Sequence, residues 1–232
     1  MQDSAESPKT IDHIMDAVAG FNTEESNEYR PLLGRLKRDG QSPSAFIIAC
    51  SDSRLVLPDR LSSVGPGEMF VLRNVGNLVP ENRPDGPQDT SVGAAVDFAI
   101  DVLGVTDIII MGHEDCGAMK AACSRQFPTR NLDAWLANTD GALARLEAGE
   151  TVDPDLPQHD QLGVLNVLVQ LEHLRGYDSV REALSAGKLR LHGWFFDIGH
   201  AQVLAYDPES GQYERIGGRE GVRAVSTTGF ER

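Results

Sequence analysis

A chain of 232 residues, 41% hydrophobic and 24% charged, has the size and composition of one globular domain with appended segments. Its net charge of −14 excludes a sequence-independent nucleic-acid binder, which needs a basic stripe to neutralise phosphates, and equally disfavours an anionic membrane surface. No run reaches the roughly 18 to 20 apolar residues of a membrane span, and Met1–Thr10 lacks the basic and apolar regions of a secretory signal. Three cysteines are too few for a disulfide framework, so free thiols or metal ligands are expected, in a cytoplasmic setting.

Residues 1–40 read as an N-terminal helical arm. Thr10 is placed to cap a helix whose apolar positions Ile11, Ile14, Met15 and Val18 have helical spacing, closing near Gly20. A second amphipathic run, Tyr29 to Lys37, carries Leu32, Leu33 and Leu36 and ends before Gly40. Such an arm suits packing on a partner subunit.

Residues 41–232 read as the α/β body of a chain that is a single domain overall. Ala45 to Ala49 is a continuous apolar run suited to a strand buried on both faces, and Met69 to Leu72 is a second. Thr90 to Leu103 carries a helical apolar stripe ended by Gly104, and Val105 to Met111 contains a third buried strand. A polar linker over 150–161 precedes a helix from Gly163 to Arg175, and Ser179 with Glu182 predicts a capping box for a short helix ended by Gly187. Leu189 to Ile198 and Gln202 to Tyr206 read as late strands, with a turn at 207–211. The expected fold class is therefore α/β: a mainly parallel central sheet flanked by helices, with one or more antiparallel strands at its late edge.

Two reactive clusters come directly after predicted strands. Cys50-Ser51-Asp52-Ser53-Arg54 succeeds the first, and Gly112-His113-Glu114-Asp115-Cys116-Gly117 the third. In open α/β sheets, sites gather beyond the carboxyl ends of strands, so both clusters can converge on one point. Cys50, His113 and Cys116 supply two sulfurs and one nitrogen, the donor set that zinc prefers when a fourth position stays open. Asp52 and Arg54 can form a bidentate pair that keeps the carboxylate ionised beside the metal. The Arg73-Asn74-Val75-Gly76-Asn77 cluster reads as turn chemistry at Gly76 and Asn77. Cys123 reads as a packed thiol, and His13, His159, His173, His192 and His200 as ordinary core or surface histidines.

The strings C-S-D-S-R, R-N-V-G-N and G-H-E-D-C-G, with Q-S-P before them and L-H-G-W-F-F-D-I near the end, resemble the β-carbonic anhydrase family, in its bacterial, cyanobacterial and plant branch. The resemblance implies a zinc-dependent lyase performing zinc-hydroxide hydration of carbon dioxide to bicarbonate and a proton, reversibly. It implies Cys50, His113 and Cys116 as zinc ligands, and Asp52 and Arg54 as the catalytic dyad, with Asp52 as a fourth ligand in a closed state. Gln41, Phe70, Val75, Phe98 and Gly117 would line the substrate pocket, Gln41 and Phe70 reaching the zinc of a neighbouring subunit. A homodimer is then the minimal unit, with tetramers or octamers compatible. Phe98 stands where this branch commonly has a tyrosine, and the Leu55–Asp59 segment is one residue longer than the family spacing. Hydrolysis of carbonyl sulfide or carbon disulfide on the same site is the first alternative. A non-catalytic, zinc-stabilised regulatory protein is the second. A carbon-fixing microcompartment or a plastid is compatible with the cytoplasmic expectation.

Overall fold

The computed structural model describes residues 10–55, 64–83, 90–126, 129–150, 153, 155–217 and 225–226. The chain divides into two compact units between Gln41 and Ser42.

The first unit is helical. Helix α1, Ile11–Gly20, runs through a π-helical turn, Phe21–Glu25, into α2, Ser26–Asp39. The expected stop at Gly20 is not there, because Gly20 keeps right-handed helical angles (φ −60°, ψ −48°). The π turn carries the backbone onward, and the Thr23 hydroxyl donates to the carbonyls of Ala19 and Gly20 at 3.1 Å each. Gly40 ends the helix instead. At φ +84° it takes a conformation that a side chain resists, and its N–H closes on the Leu36 carbonyl at 2.9 Å. Thr10 precedes α1 but its side chain makes no cap; its hydroxyl turns to Asp12.

The second unit is built on a seven-stranded sheet in the order β2-β1-β3-β4-β5-β6-β7. Strands β1 (Ala45–Cys50), β2 (Met69–Asn74), β3 (Asp107–His113) and β4 (Arg190–Asp197) are mutually parallel. Strands β5 (Gln202–Asp207), β6 (Gln212–Arg215) and β7 (Val225–Ser226) continue the sheet antiparallel. In β1 every residue from Phe46 to Cys50 is buried, and in β3 every residue from Ile108 to His113, as strands covered on both faces should be.

Helix α3, Thr90–Asp97, ends in a π-helical turn at Phe98–Val102. After β3 come α4 (Gly117–Ser124), α5 (Arg130–Leu136) and α6 (Asp140–Glu147), then α7 (Gln158–Arg175) and α8 (Asp178–Ser185). Helix α7 starts five residues earlier than the sequence suggests, because Pro157 sets the preceding backbone and polar Gln158 to Gln161 form its first turn. The capping box expected at Ser179 does not form. Tyr177 occupies the cap position, and the Ser179 hydroxyl donates to Asp97 Oδ1 of α3 at 2.8 Å. No described helix is long and apolar enough to cross a membrane.

Strand register and close helix packing together fix the carboxyl ends of β1 and β3. Ala49 on β1 pairs with Met111 on β3, so Cys50 ends its strand beside Gly112 and His113. Helix α7 also presses closely on the end of β3: a Cβ built on Gly112 would stand 2.8 Å from Val167 Cγ2. We therefore expect Gly112→Ala to lower the unfolding free energy by about 1–3 kcal/mol, the usual cost of overpacking a core. A urea midpoint equal to the wild type's would show that helix and strand are not in this contact.

Candidate metal centre

Three buried side chains meet at the carboxyl ends of β1 and β3. Cys50 is the last residue of β1, His113 the last of β3, and Cys116 the residue before α4. Each is at most 5% exposed. Their donor atoms all lie within 4.8 Å of one another, and the two sulfurs are 3.9 Å apart. Two thiolates bound to one tetrahedral zinc at about 2.3 Å would stand about 3.8 Å apart. The spacing fits.

The histidine fits as well. Its Nδ1 lies 2.8 Å from the Glu114 carbonyl, an acceptor only, so the ring proton sits on Nδ1. That leaves the lone pair on Nε2, which is buried and has no hydrogen-bond partner. A bare acceptor in a protein interior is costly unless something else uses it, and a soft cation between this nitrogen and two sulfurs does so.

The sulfurs are electrostatically prepared. The Cys50 thiol is pushed down, chiefly by its hydrogen bond with Cys116, with the amides of Asp52 and Gly76 assisting against burial. Cys116, which shares that bond and is deeply buried, is pushed up. Metal binding would displace the proton that the two sulfurs share. The amides of Ala118 and Met119, at the start of α4, face the Cys116 sulfur and favour its thiolate.

Beside the sulfurs, Asp52 and Arg54 are locked together. Arg54 Nε donates to Asp52 Oδ1 at 3.0 Å and Nη2 to Oδ2 at 2.8 Å, and the Arg54 amide donates to Oδ1 at 2.9 Å. The guanidinium holds the Asp52 carboxyl well below the usual carboxylate range. Asp52 Oδ2 lies 3.9 Å from His113 Nε2, at the edge of the donor set.

Several residues of the sequence motifs, given no positioning role there, hold the site in place. Arg73 on β2 donates from Nε to the Cys50 carbonyl at 2.9 Å and from Nη2 to the Asp52 carbonyl at 2.7 Å, clamping the loop between ligand and dyad. Asn74 braces the adjoining turn by exchanging hydrogen bonds with the Leu78 backbone, both at 2.8 Å. Gly76 has φ +80°, and a Cβ there would meet Ala118 Cβ at 3.0 Å, so glycine is needed where its amide approaches the Cys50 sulfur. Asp115 accepts from Arg54 Nη1 at 2.7 Å, and its amide donates to the buried carboxylate of Asp160 at 2.6 Å.

Among the expected pocket residues, Phe70 packs between Phe46 and Phe98, with ring centroids 5.2 and 5.8 Å away. Phe98 and Val75 are exposed. Val75 comes directly after Asn74, which pairs with Cys50 across β1 and β2. Gly117 opens α4 with free space where a Cβ would stand. Gln41 is the last residue of the helical unit and is exposed. Of the expected longer segment, residues 56–59 lie outside the described residues. Cys123 is half-buried, its thiol pushed up by that burial. Three of the remaining histidines have hydrogen-bond partners away from the metal centre: His173 the Val79 carbonyl, His192 Asp107 and His200 Asp197.

The comparisons with known proteins agree with this geometry. A family model described as carbonic anhydrase matches residues 45–203. A carbonic anhydrase of Pseudomonas aeruginosa is 40% identical over 218 residues, covering 91% of this chain and 96% of that protein. The solved β-carbonic anhydrase CcaA superposes with a TM-score of 0.78 at 30% identity, over 88% of this chain and 98% of that one. One of two tetrameric β-carbonic anhydrases from Sordaria macrospora gives 0.66 at 27% identity, over 88% of this chain and 93% of that one.

Proposed function

This chain belongs to the β-class carbonic anhydrase family, and from that premise we propose that it hydrates carbon dioxide to bicarbonate and a proton, reversibly. The observation that carries the reading is the buried set of Cys50, His113 and Cys116, with an unpartnered Nε2 and zinc-like spacing between the sulfurs. These three residues would hold the zinc. When bound, zinc would lower the pKa of a water at its open position to about 7, supplying a nucleophile at neutral pH.

The chain's own groups do the rest. Asp52, kept ionised by Arg54, accepts a hydrogen bond at Oδ2 from the attacking water and orients its lone pair toward the substrate. Arg54 prevents that carboxylate from turning away to become a fourth ligand, which would close the site. Carbon dioxide is apolar and needs a dry patch, which Val75 and Phe98, exposed in the single chain, would supply with Phe70 once a second copy covers them. Gly117 leaves room beside Cys116, and Gln41 offers an amide for the product's oxygens.

Residues 41–232 form the catalytic domain and 1–40 the arm. Gln41 and Phe70 serve the site of a second copy, so the functional unit is at least a homodimer, a reading supported by the tetrameric Sordaria relatives. Two ligand thiols 3.9 Å apart are safest from oxidation in a reducing compartment, which supports a cytoplasmic location.

Stopped-flow hydration of carbon dioxide by the zinc-loaded protein tests the reading. We expect turnover that azide suppresses, since an anion reaches the metal only through an open position. Faster turnover of carbonyl sulfide or carbon disulfide would reassign the substrate. Zinc binding without turnover of any of the three would make the protein a regulatory one.

A further inference from the structure

Arg54 does more than grip Asp52. A guanidinium is planar, and its donors leave in fixed directions. With Nε and Nη2 spent on Asp52, the remaining direction belongs to Nη1, which meets Asp115 Oδ2 at 2.7 Å, while Nη2 also reaches the Asp115 carbonyl at 3.0 Å. An arginine paired with Asp52 alone could swing with it as the loop moves. Pinned at a second carboxylate, it cannot.

Asp115 is itself held from three sides. It sits in the turn between His113 and Cys116 at φ +58°, a left-handed conformation that non-glycine residues seldom adopt. Its amide donates to Asp160 Oδ1, and Asp160, in the first turn of α7, is only 3% exposed. Its other oxygen, Oδ1, pairs with Lys120 of α4. Isolated surface ion pairs contribute little, but a carboxylate fixed at amide and side chain, and bridging two loops through a bidentate arginine, is a strut. Its ends are the loop bearing Cys50 and the turn bearing His113 and Cys116.

We propose that Asp115 is a positioning residue that acts through Arg54 to hold the Asp52 carboxylate in its working place between the two ligand loops. The role rests on the chain's being a working carbonic anhydrase, and its test separates the two.

Asp115→Ala, Asp115→Asn, Arg54→Ala and the double variant Arg54→Ala/Asp115→Ala would be compared for carbon dioxide hydration, zinc content and thermal midpoint. Removing an outer partner of a catalytic group typically costs about 10–100-fold in activity. We expect Asp115→Ala to lose that much in kcat, with KM and zinc content close to the wild type's. Asp115→Asn, which keeps the size and one oxygen acceptor, should fall between, and it serves alone if the alanine variant does not fold. In the Arg54→Ala background, removing Asp115 should cost nothing further, because residues acting as one unit are non-additive. Full activity in Asp115→Ala would overturn the role. So would a loss that tracks missing zinc, or the same fold-loss with and without Arg54. An inactive zinc-loaded wild type would instead overturn the functional reading and this role with it.

Discussion

Cys50→Ser is expected to emerge folded, nearly zinc-free and without measurable hydration. The substitution is close to isosteric, so the buried end of β1 still packs against β2 and β3. The chemistry does not survive it. The Cys50 thiol is pushed down, chiefly by its hydrogen bond with Cys116, so it readily supplies the thiolate that zinc takes. A serine hydroxyl stays protonated at neutral pH and is a poor match for a soft cation. Loss of an outer hydrogen-bond partner of a ligand typically costs about 10–100-fold in metal affinity, and loss of the ligand itself should exceed that. Elemental analysis of the purified variant would decide it. A full complement of zinc in Cys50→Ser would remove Cys50 from the ligand set.

Asp52→Asn should show the opposite dissociation of zinc from activity. The amide keeps the shape and can still accept from Arg54, but it has no charge with which to draw a proton from water. Zinc content should match the wild type's, while kcat falls by roughly 10²–10⁴, the usual contribution of a positioned acid–base group. The wild-type carboxylate also has a distinctive pH response. Arg54 depresses its pKa, so Asp52 is ionised in the folded state wherever an ordinary carboxyl already would be, and further into acid. The stability it lends is thus present above the unfolded carboxyl's pKa and disappears only as pH falls through the depressed folded value. The pair is partly exposed, so that contribution is modest. The acid limb of the activity profile should accordingly not report Asp52. Turnover in Asp52→Asn equal to the wild type's would sink the dyad.

The sequence was informative where local rules govern. Unbroken apolar runs at 45–49 and within 105–111 marked β1 and β3, because a strand buried on both faces has no polar face to show. Reactive side chains directly after those runs, in a fold whose strands end together, made one site the economical reading. At Ser179 the sequence misled because a distant partner outcompetes a local signal, and at Gly20 because the backbone continues where a glycine permits a stop but does not impose one. Ser179 has the spacing of a capping box, yet Asp97, 82 positions away, claims its hydroxyl. Gly20 looks like a stop, yet the chain continues through a π turn to Gly40. Helices α5 and α6 were not anticipated at all.

The same reason hides the supports of the site. Arg73 stands in the R-N-V-G-N string without a role until its contacts with two carbonyls on the Cys50 loop are seen. Asp115 looks like a polar turn residue until Asp160, 45 positions on, is found beneath its amide. Nothing in composition or periodicity encodes those pairings. A carboxylate placed between two ligands in a tight turn was the one available hint.

The central claim is that Cys50, His113 and Cys116 hold one zinc on which hydration depends. Titrating zinc into metal-free wild-type protein while monitoring carbon dioxide hydration tests it most directly. Activity should start near zero, climb in proportion to added metal and break sharply at one equivalent per chain. Activity already present before any zinc is added, or none after the site has filled, would contradict it.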